Sequence, residues 1–566
     1  MNIFSKKMIP QILLQAITLM GLITPLAVNA TGLGYDEIFE KNGNVRPQYQ
    51  QIYDLYLKRY SSHEPSYLKD TRAAFQGDNA LDPMPRLLTT EEYETLRAGV
   101  HQRAQAILAF LKSYHSGRNS FAQAGVIPVD LVDKIAARSG DIGFKEKVNP
   151  KTIAFLYGPD VIRDQNGEWR VIEDNLGFIG GTGDLNLAQE LMFKSYPELA
   201  EDFKARRSDR FYETVAESYK KRAESYGGRT ILYMIPTYSA DNEDQRISKI
   251  FASKGIETIT PQSIQRLDIR DDGVYLKMPY TNAPAEFEKV GFIVLNAEHA
   301  WVDPQHKASR VRNLMEAASN LLREKKTSPI LKERLGVLLS QTDPRTHLPD
   351  LKKLESLLLK AGYEEDKVVK KQNRGLLDAA LANKVGLSYT PGVDFVGDKE
   401  MYLYIEDLIR FYLHEEPILK NIETDKFSVG SSTEVDTKKF EMVFSNLDSY
   451  VIKKVDGRGG DSVWVGPKIT ENEIPALKTA IETNPDVYIY QKYTPLSTAN
   501  NNIVDLRVIA DVSNQGIIVT ETPWGRGLPK NGNGKVNISD QGREISVVVV
   551  DKIPSYEAMK CSQLKY

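Results

Sequence analysis

Cysteine is nearly missing from this sequence: Cys561 is the single one among 566 residues. No disulfide can therefore form within the chain, whichever compartment holds it, and a thiol so near the tail reads as free rather than nucleophilic. Histidine is scarce too, with seven residues and no HxxxH or HExxH spacing, so the usual zinc patterns are excluded. Neither charge sign is in marked excess, the formal net being -3, which argues against nucleic acid as the main partner. No GxxxxGK[ST] phosphate loop occurs, and no internal repeat or low-complexity tract interrupts the chain.

Long apolar runs are also missing, with one exception at the start. Lys6 and Lys7 precede a charge-free apolar run from Ile12 to Ala27, and Val28-Asn29-Ala30 then supplies small residues where a signal peptidase cuts. That order reads as a cleavable secretory signal, too short and too broken by Gln15, Gly21 and Pro25 to be a lasting span. Its loss at Ala30 removes Lys6 and Lys7 and takes the net charge from -3 to -5. The expectation is an exported protein, periplasmic or secreted, without stable membrane insertion.

Six regions follow from the change in pattern along the chain. After the signal (1–30) comes a largely helical region, 31–227, where Leu96, Val100, Ala104, Ile107, Leu108 and Leu111 recur at helical spacing. Within it, Ile153–Tyr157 and Trp169–Ile172 flank Asp164-Gln165-Asn166-Gly167, which predicts a hairpin of those two runs. Residues 228–305 form a small α/β unit, with Thr230–Ile235 and Val290–Leu295 as strands. Residues 306–384 are helical, 385–550 alternate strands, helices and glycine turns, and 551–566 are a tail.

Chemistry concentrates in two places. Tyr450–Gly466 is a lysine-bearing strand, a glycine turn (Gly457, Gly459, Gly460) and a second strand. Glycines let backbone N–H groups approach phosphate oxygens, and a lysine beside them neutralises charge. Alternation puts Lys453 and Lys454 on opposite faces. Lys399 stands at an earlier turn, before a predicted helix Met401–Leu413. Val487–Tyr493 is a strand ending among polar groups, Asp505-Leu506-Arg507 lies on a strand, and Asn537 follows in a loop. Far upstream, Glu173 and Asn175 share a strand face and can reach one hard cation through oxygen, with Asp160 across the hairpin.

Lysine, lysine with glycine loop, hinge strand, DxR strand and asparagine loop, in that order, resemble the nucleotide half of ATP-grasp enzymes. The metal motif standing first rather than last resembles the circularly permuted ATP-grasp family, type 2. Tyr35-Asp36-Glu37, Val45-Arg46-Pro47, Met84-Pro85-Arg86, Gln102-Arg103, Glu173-Asp174-Asn175, Gly397-Asp398-Lys399 and Ile409–Leu419 carry the likeness, with Val504–Arg507 and Asn537-Ile538-Ser539 completing it. Glutathionylspermidine synthase looks like a distant relative sharing the permuted arrangement.

The resemblance implies an α/β (α+β) chain: a permuted ATP-grasp with a flanking Rossmann-like α/β domain and a helical N-terminal region. It implies ATP-dependent joining of a small-molecule or peptide carboxylate to an amine or thiol. Lys399 and Lys453 would hold ATP phosphates under Gly457, Gly459 and Gly460, with Gln491 and Tyr493 at adenine and Asn537 beside the nucleotide. Asp160, Glu173 and Asn175 would hold Mg²⁺, and Arg507 would meet the charge in transfer, with Lys453 assisting catalysis.

Three stretches depart from the family: Leu176–Gly181 where Arg and Pro-Ser-Gly are usual, Leu295-Asn296-Ala297 where paired arginines are usual, and the thinned Asp540–Glu544. They mark an altered acceptor site or weakened catalysis. Two other functions fit the same residues: a nucleotide- or peptide-binding protein without turnover, and an ATP-dependent phosphotransferase.

Overall fold

The computed structural model describes residues 34–60, 81–139, 148–177, 179–234, 242–278, 286–296, 314–315, 317–319, 321–322, 327–341, 349–361, 367–430, 432–457, 462–538 and 542–551. The signal segment, Gly459, Gly460 and Cys561 lie outside them.

One long helix, Thr90–His115, organises the centre. Thr89 caps it, its hydroxyl taking the Glu92 N–H while the Glu92 carboxylate returns to the Thr89 N–H, so two orphan donors are met at once. Leu96, Val100, Ala104, Ile107, Leu108 and Leu111 are all buried, as their spacing predicts. Each large one is worth about 1.5–3 kcal/mol in removal from water. Gly99 sits where any side chain would collide with Leu419, so the helix meets the 405–419 segment closely. The predicted helix Met401–Leu413 begins as a 3₁₀ turn, Met401–Tyr404, and becomes an α-helix only over Ile405–Leu413. None of the described helices is long and apolar enough to cross a membrane.

The predicted hairpin exists with a different first strand. Asp160–Arg163 pairs antiparallel with Trp169–Glu173 around the Asp164–Glu168 turn, whose Asp164 carboxylate accepts the N–H groups of Asn166 and Glu168. Ala154–Tyr157, expected to be the hairpin strand, instead pairs with Ala510–Ser513 in a separate three-stranded sheet. A turn of five residues matches only strands that abut it, and six residues separate Ala154–Tyr157 from it. The chain passes from one sheet to the other at Gly158, where a side chain would press on Arg507 and Ile179.

Asp160–Arg163 and Trp169–Glu173 belong to a seven-stranded sheet in which Asp160–Arg163 borders Asn502–Arg507, and that strand in turn borders Trp524–Pro529. Residues from both ends of the sequence therefore share one sheet. Arg86–Thr89 likewise pairs, in parallel, with Val547–Val550. A smaller four-stranded sheet, in the order Thr424–Lys426, Tyr488–Lys492, Tyr450–Lys454, Val463–Val465, stands opposite. The flanking unit is a mixed sheet: Arg229–Met234, Glu257–Ile259 and Phe287–Asn296 run parallel, and the hairpin Leu267–Arg270 with Gly273–Lys277 adds antiparallel edges. Gly386–Leu387 also joins this sheet, through Phe292 and Ile293.

Candidate active site

The hairpin and the small sheet bring the predicted residues together. Asp160, Glu173, Asn175, Lys453, Gln491, Tyr493, Arg507 and Asn537 all line one cavity. Strand pairing explains part of this, since Asp160 stands opposite both Glu173 and Arg507. Between Glu173 and Asn175 the chain turns Asp174 inward, 2% exposed, onto the fully buried Arg103 at 3.2 and 2.7 Å. Tyr157 donates to the same carboxylate at 2.5 Å. That buried pair anchors the segment and leaves its two neighbours facing the cavity.

Lys399 bridges the two halves. Its ammonium lies 2.9 Å from the Glu173 carboxylate and donates to the Gly457 carbonyl, so the strand of Glu173 and the chain at Gly457 meet at one nitrogen. Its flanks are pinned: Arg138 grips Asp398 at 3.0 and 2.8 Å and Glu400 at 3.0 Å, and Lys426 reaches Glu400 at 2.8 Å. Lys453, 7% exposed, donates to the Ile172 carbonyl at 3.1 Å. Gln491 donates to Thr424 Oγ1 at 3.0 Å. Lys454, half-buried on the other face, pairs with Asp456 at 3.3 Å.

Burial governs the electrostatics. It pushes the Lys453 ammonium down to about 8, with Glu173 opposing and Lys399 reinforcing the change. Burial would raise Asp160, but Arg507 and Arg526 together outweigh it and hold the carboxyl well below the usual range. Asp505 goes the other way: burial lifts it to about 6, against the pull of Arg526.

The donors available suit a hard cation. The Asn175 amide nitrogen is buried with no partner among the described residues, and turning that amide over presents its oxygen at the same place. Glu173 adds a carboxylate in reach of the same cavity. Two oxygen donors alongside phosphates are what Mg²⁺ commonly takes from protein. Asp160 differs, because both its oxygens already accept guanidinium N–H groups, from Arg507 at 2.7 and 3.0 Å and from Arg526 at 2.9 Å.

Three lining residues had been given no role in the sequence, Lys492, Arg526 and Lys535, and Asp505 had entered only as part of the DxR strand. Arg526 had a readable signal in its Gly-Arg-Gly setting, for side chains at Gly525 and Gly527 would strike Ile545. A strand with glycines on one face and arginine on the other is built to direct the arginine.

The model of the family "Circularly permuted ATP-grasp type 2" matches residues 85–321 and 363–524 of this chain. An uncharacterised protein of Mycobacterium tuberculosis is 26% identical, over 90% of this chain and 83% of its own length. A Frankia casuarinae protein, provisionally named a glutamate–cysteine ligase, is 24% identical over 82% of this chain, which spans 47% of that protein. A glutathione synthetase-like effector from Globodera pallida, solved in apo form, is 11% identical with a TM-score of 0.45, over 86% of this chain and 96% of that one.

Proposed function

The chain belongs to the circularly permuted ATP-grasp type 2 family, and on that premise we propose that it is an ATP-dependent ligase joining a carboxylate to an amine or thiol through an acyl-phosphate. ATP-grasp enzymes use ATP and a divalent metal ion. One observation carries the reading for this chain: with Arg507 and Arg526 paired to Asp160 and Asp505, the described lining of the cavity still holds Lys453, Lys492 and Lys535 against Glu173. Three ammonium groups against one carboxylate in a single cavity suit a polyanion such as a nucleoside triphosphate.

In this reading Lys399 and Lys453 take the phosphates, the Gly457 turn closes over them, and Gln491 and Tyr493 meet the base. Glu173 and Asn175 would hold Mg²⁺, which would supply positive charge against the phosphates. A carboxylate oxygen of the substrate attacks the γ-phosphorus and ADP leaves, with Arg507 facing the charge in transfer. The amine or thiol then attacks the activated carbonyl carbon, loses its proton, and inorganic phosphate departs. Positioning and fixed charge supply the catalysis, and shielding from water protects the mixed anhydride. We propose also that the chain is exported through its first thirty residues.

The test is ADP and phosphate release with panels of carboxylates and acceptors, glutamate and cysteine among them. Stoichiometric ADP, phosphate and amide or thioester support a ligase. ADP with a phosphorylated product means a phosphotransferase, and nucleotide binding with no ADP under any pairing means a binding protein.

A further inference from the structure

Asp160, Asp505, Arg507 and Arg526 stand on three neighbouring strands of the large sheet. Pairing sets Arg507 opposite Asp160 and Asp505 opposite Arg526, so the two-residue strand period sends all four side chains to the cavity face. They form one continuous chain of alternating sign. Asp505 accepts Nε and Nη2 of Arg526 at 3.0 and 2.6 Å. The same Nη2 reaches Asp160 Oδ2 at 2.9 Å. Asp160 accepts Nε and Nη2 of Arg507 at 2.7 and 3.0 Å, and Arg507 Nη1 ends on the Gly180 carbonyl at 3.3 Å.

Packing does not account for this chain. Asp505, Arg526 and Asp160 are 2%, 6% and 5% exposed, and buried ions are commonly no more stabilising than apolar side chains of the same size. What four alternating charges fix is a direction. The side-on double contact sets the plane of the Arg507 guanidinium, and Asp160 keeps its own orientation because Arg526 is tethered from behind by Asp505. Trp524 fills the space between the arginines, with their guanidinium carbons 5.4 and 5.1 Å from its ring.

We infer that Arg526 is a positioning residue: with Asp505 behind it, it holds Asp160 so that Arg507 faces the phosphoryl group in transfer. The inference rests on the ligase reading. Arg526 acts through Asp160 and Arg507, so its removal should spare the ground-state nucleotide and damage the transition state. A lysine in its place keeps the charge but offers one nitrogen, which cannot span two carboxylates as a guanidinium does.

The experiment titrates the mature protein and its Arg526→Gln, Arg526→Lys and Asp505→Asn variants with Mg²⁺–ADP, alone and with aluminium fluoride, a stand-in for the transferring phosphoryl group. In the unaltered protein aluminium fluoride should tighten ADP binding by about 100-fold or more. In the variants ADP alone should bind within about threefold of normal, while the gain from fluoride falls to about tenfold or less, the loss expected when one oriented donor is removed. Thermal melting checks folding, and if Arg526→Gln fails to fold, Arg526→Lys carries the same comparison. Survival of the full gain in Arg526→Gln or Arg526→Lys overturns the positioning role. So does a parallel loss of ADP affinity, which would assign Arg526 to binding. If the unaltered protein binds ADP but gains nothing from fluoride, phosphoryl transfer itself fails, and the positioning role fails with it.

Discussion

Replacing Lys453 by methionine should make the protein harder to melt and far poorer at holding Mg²⁺–ATP. The two effects have opposite sign because the lysine is buried for its ligand. Its ammonium is 7% exposed and donates to the Ile172 carbonyl. Burial brings it from 10.5 down to about 8. That difference corresponds to roughly 3 kcal/mol against the charged form at pH 7. Methionine relieves it and forfeits a hydrogen bond worth about 1 kcal/mol, leaving a net gain of about 2 kcal/mol. The sign follows from the lowered value. Below pH 8 the folded chain bears the whole penalty, and as pH rises from about 8 to 10.5 only the unfolded chain keeps the proton, so the penalty fades. The methionine variant's advantage is thus complete at pH 7 and gone near pH 10.5. For binding, a unit charge about 4 Å from a phosphate oxygen is worth about 4 kcal/mol at an effective dielectric near 20. Affinity should therefore fall by about 100- to 1000-fold. Lys454→Met, at a half-buried residue paired with Asp456, should bind within about threefold of normal, as expected for a surface pair. The assays are melting at pH 7 and 10.5 and titration with Mg²⁺–ATP. Equal losses of affinity in the two variants, or a lower melting point for Lys453→Met at pH 7, would refute the reasoning.

Residues 173 and 174 should respond in different ways. Glu173→Gln, at a side chain 24% exposed and paired with Lys399, itself 6% exposed, keeps an oxygen toward the ammonium and should cost about 1–3 kcal/mol of stability; its Mg²⁺ requirement for turnover should rise about tenfold or more, and an unchanged requirement counts against the shared site. Asp174→Asn breaks the pair with Arg103, 0% and 2% exposed, and should cost about 3–5 kcal/mol in denaturant unfolding. Mass spectrometry of the exported product should find an N-terminus at Thr31; a soluble product still carrying Lys6 and Lys7 would count against export by cleavage.

Much of the fold was legible because burial leaves a period in the sequence. The stripe from Leu96 to Leu111 predicts the buried face of the central helix, and the alternation in Lys453-Lys454 predicts that one of the two turns inward, the family likeness naming Lys453. Partners are a different matter. Nothing local in Ala154–Tyr157 says that its neighbour is Ala510–Ser513 rather than the next strand along. The contact between Lys453 and Ile172 spans 281 residues; no spacing rule reaches that far, and the order of motifs alone suggested it. The Gly-Arg-Gly setting of Arg526 marks a directed side chain, but its two carboxylates, Asp160 and Asp505, are seen only once the strands are paired.

The parallel pairing of Arg86–Thr89 with Val547–Val550 sets a clock on synthesis. The Thr90 hydroxyl meets Asp551 across 461 residues of sequence. At roughly 5–20 residues per second, the first strand waits about half a minute to a minute and a half for its mate to be made. Through that interval the hairpin of Asp160 and Glu173 also lacks Asn502–Arg507, the strand that borders it. A shortened chain that ends before residue 502 therefore never completes the cavity. Inactivity of prematurely terminated products is built into the order of the strands, with no separate inhibitor required.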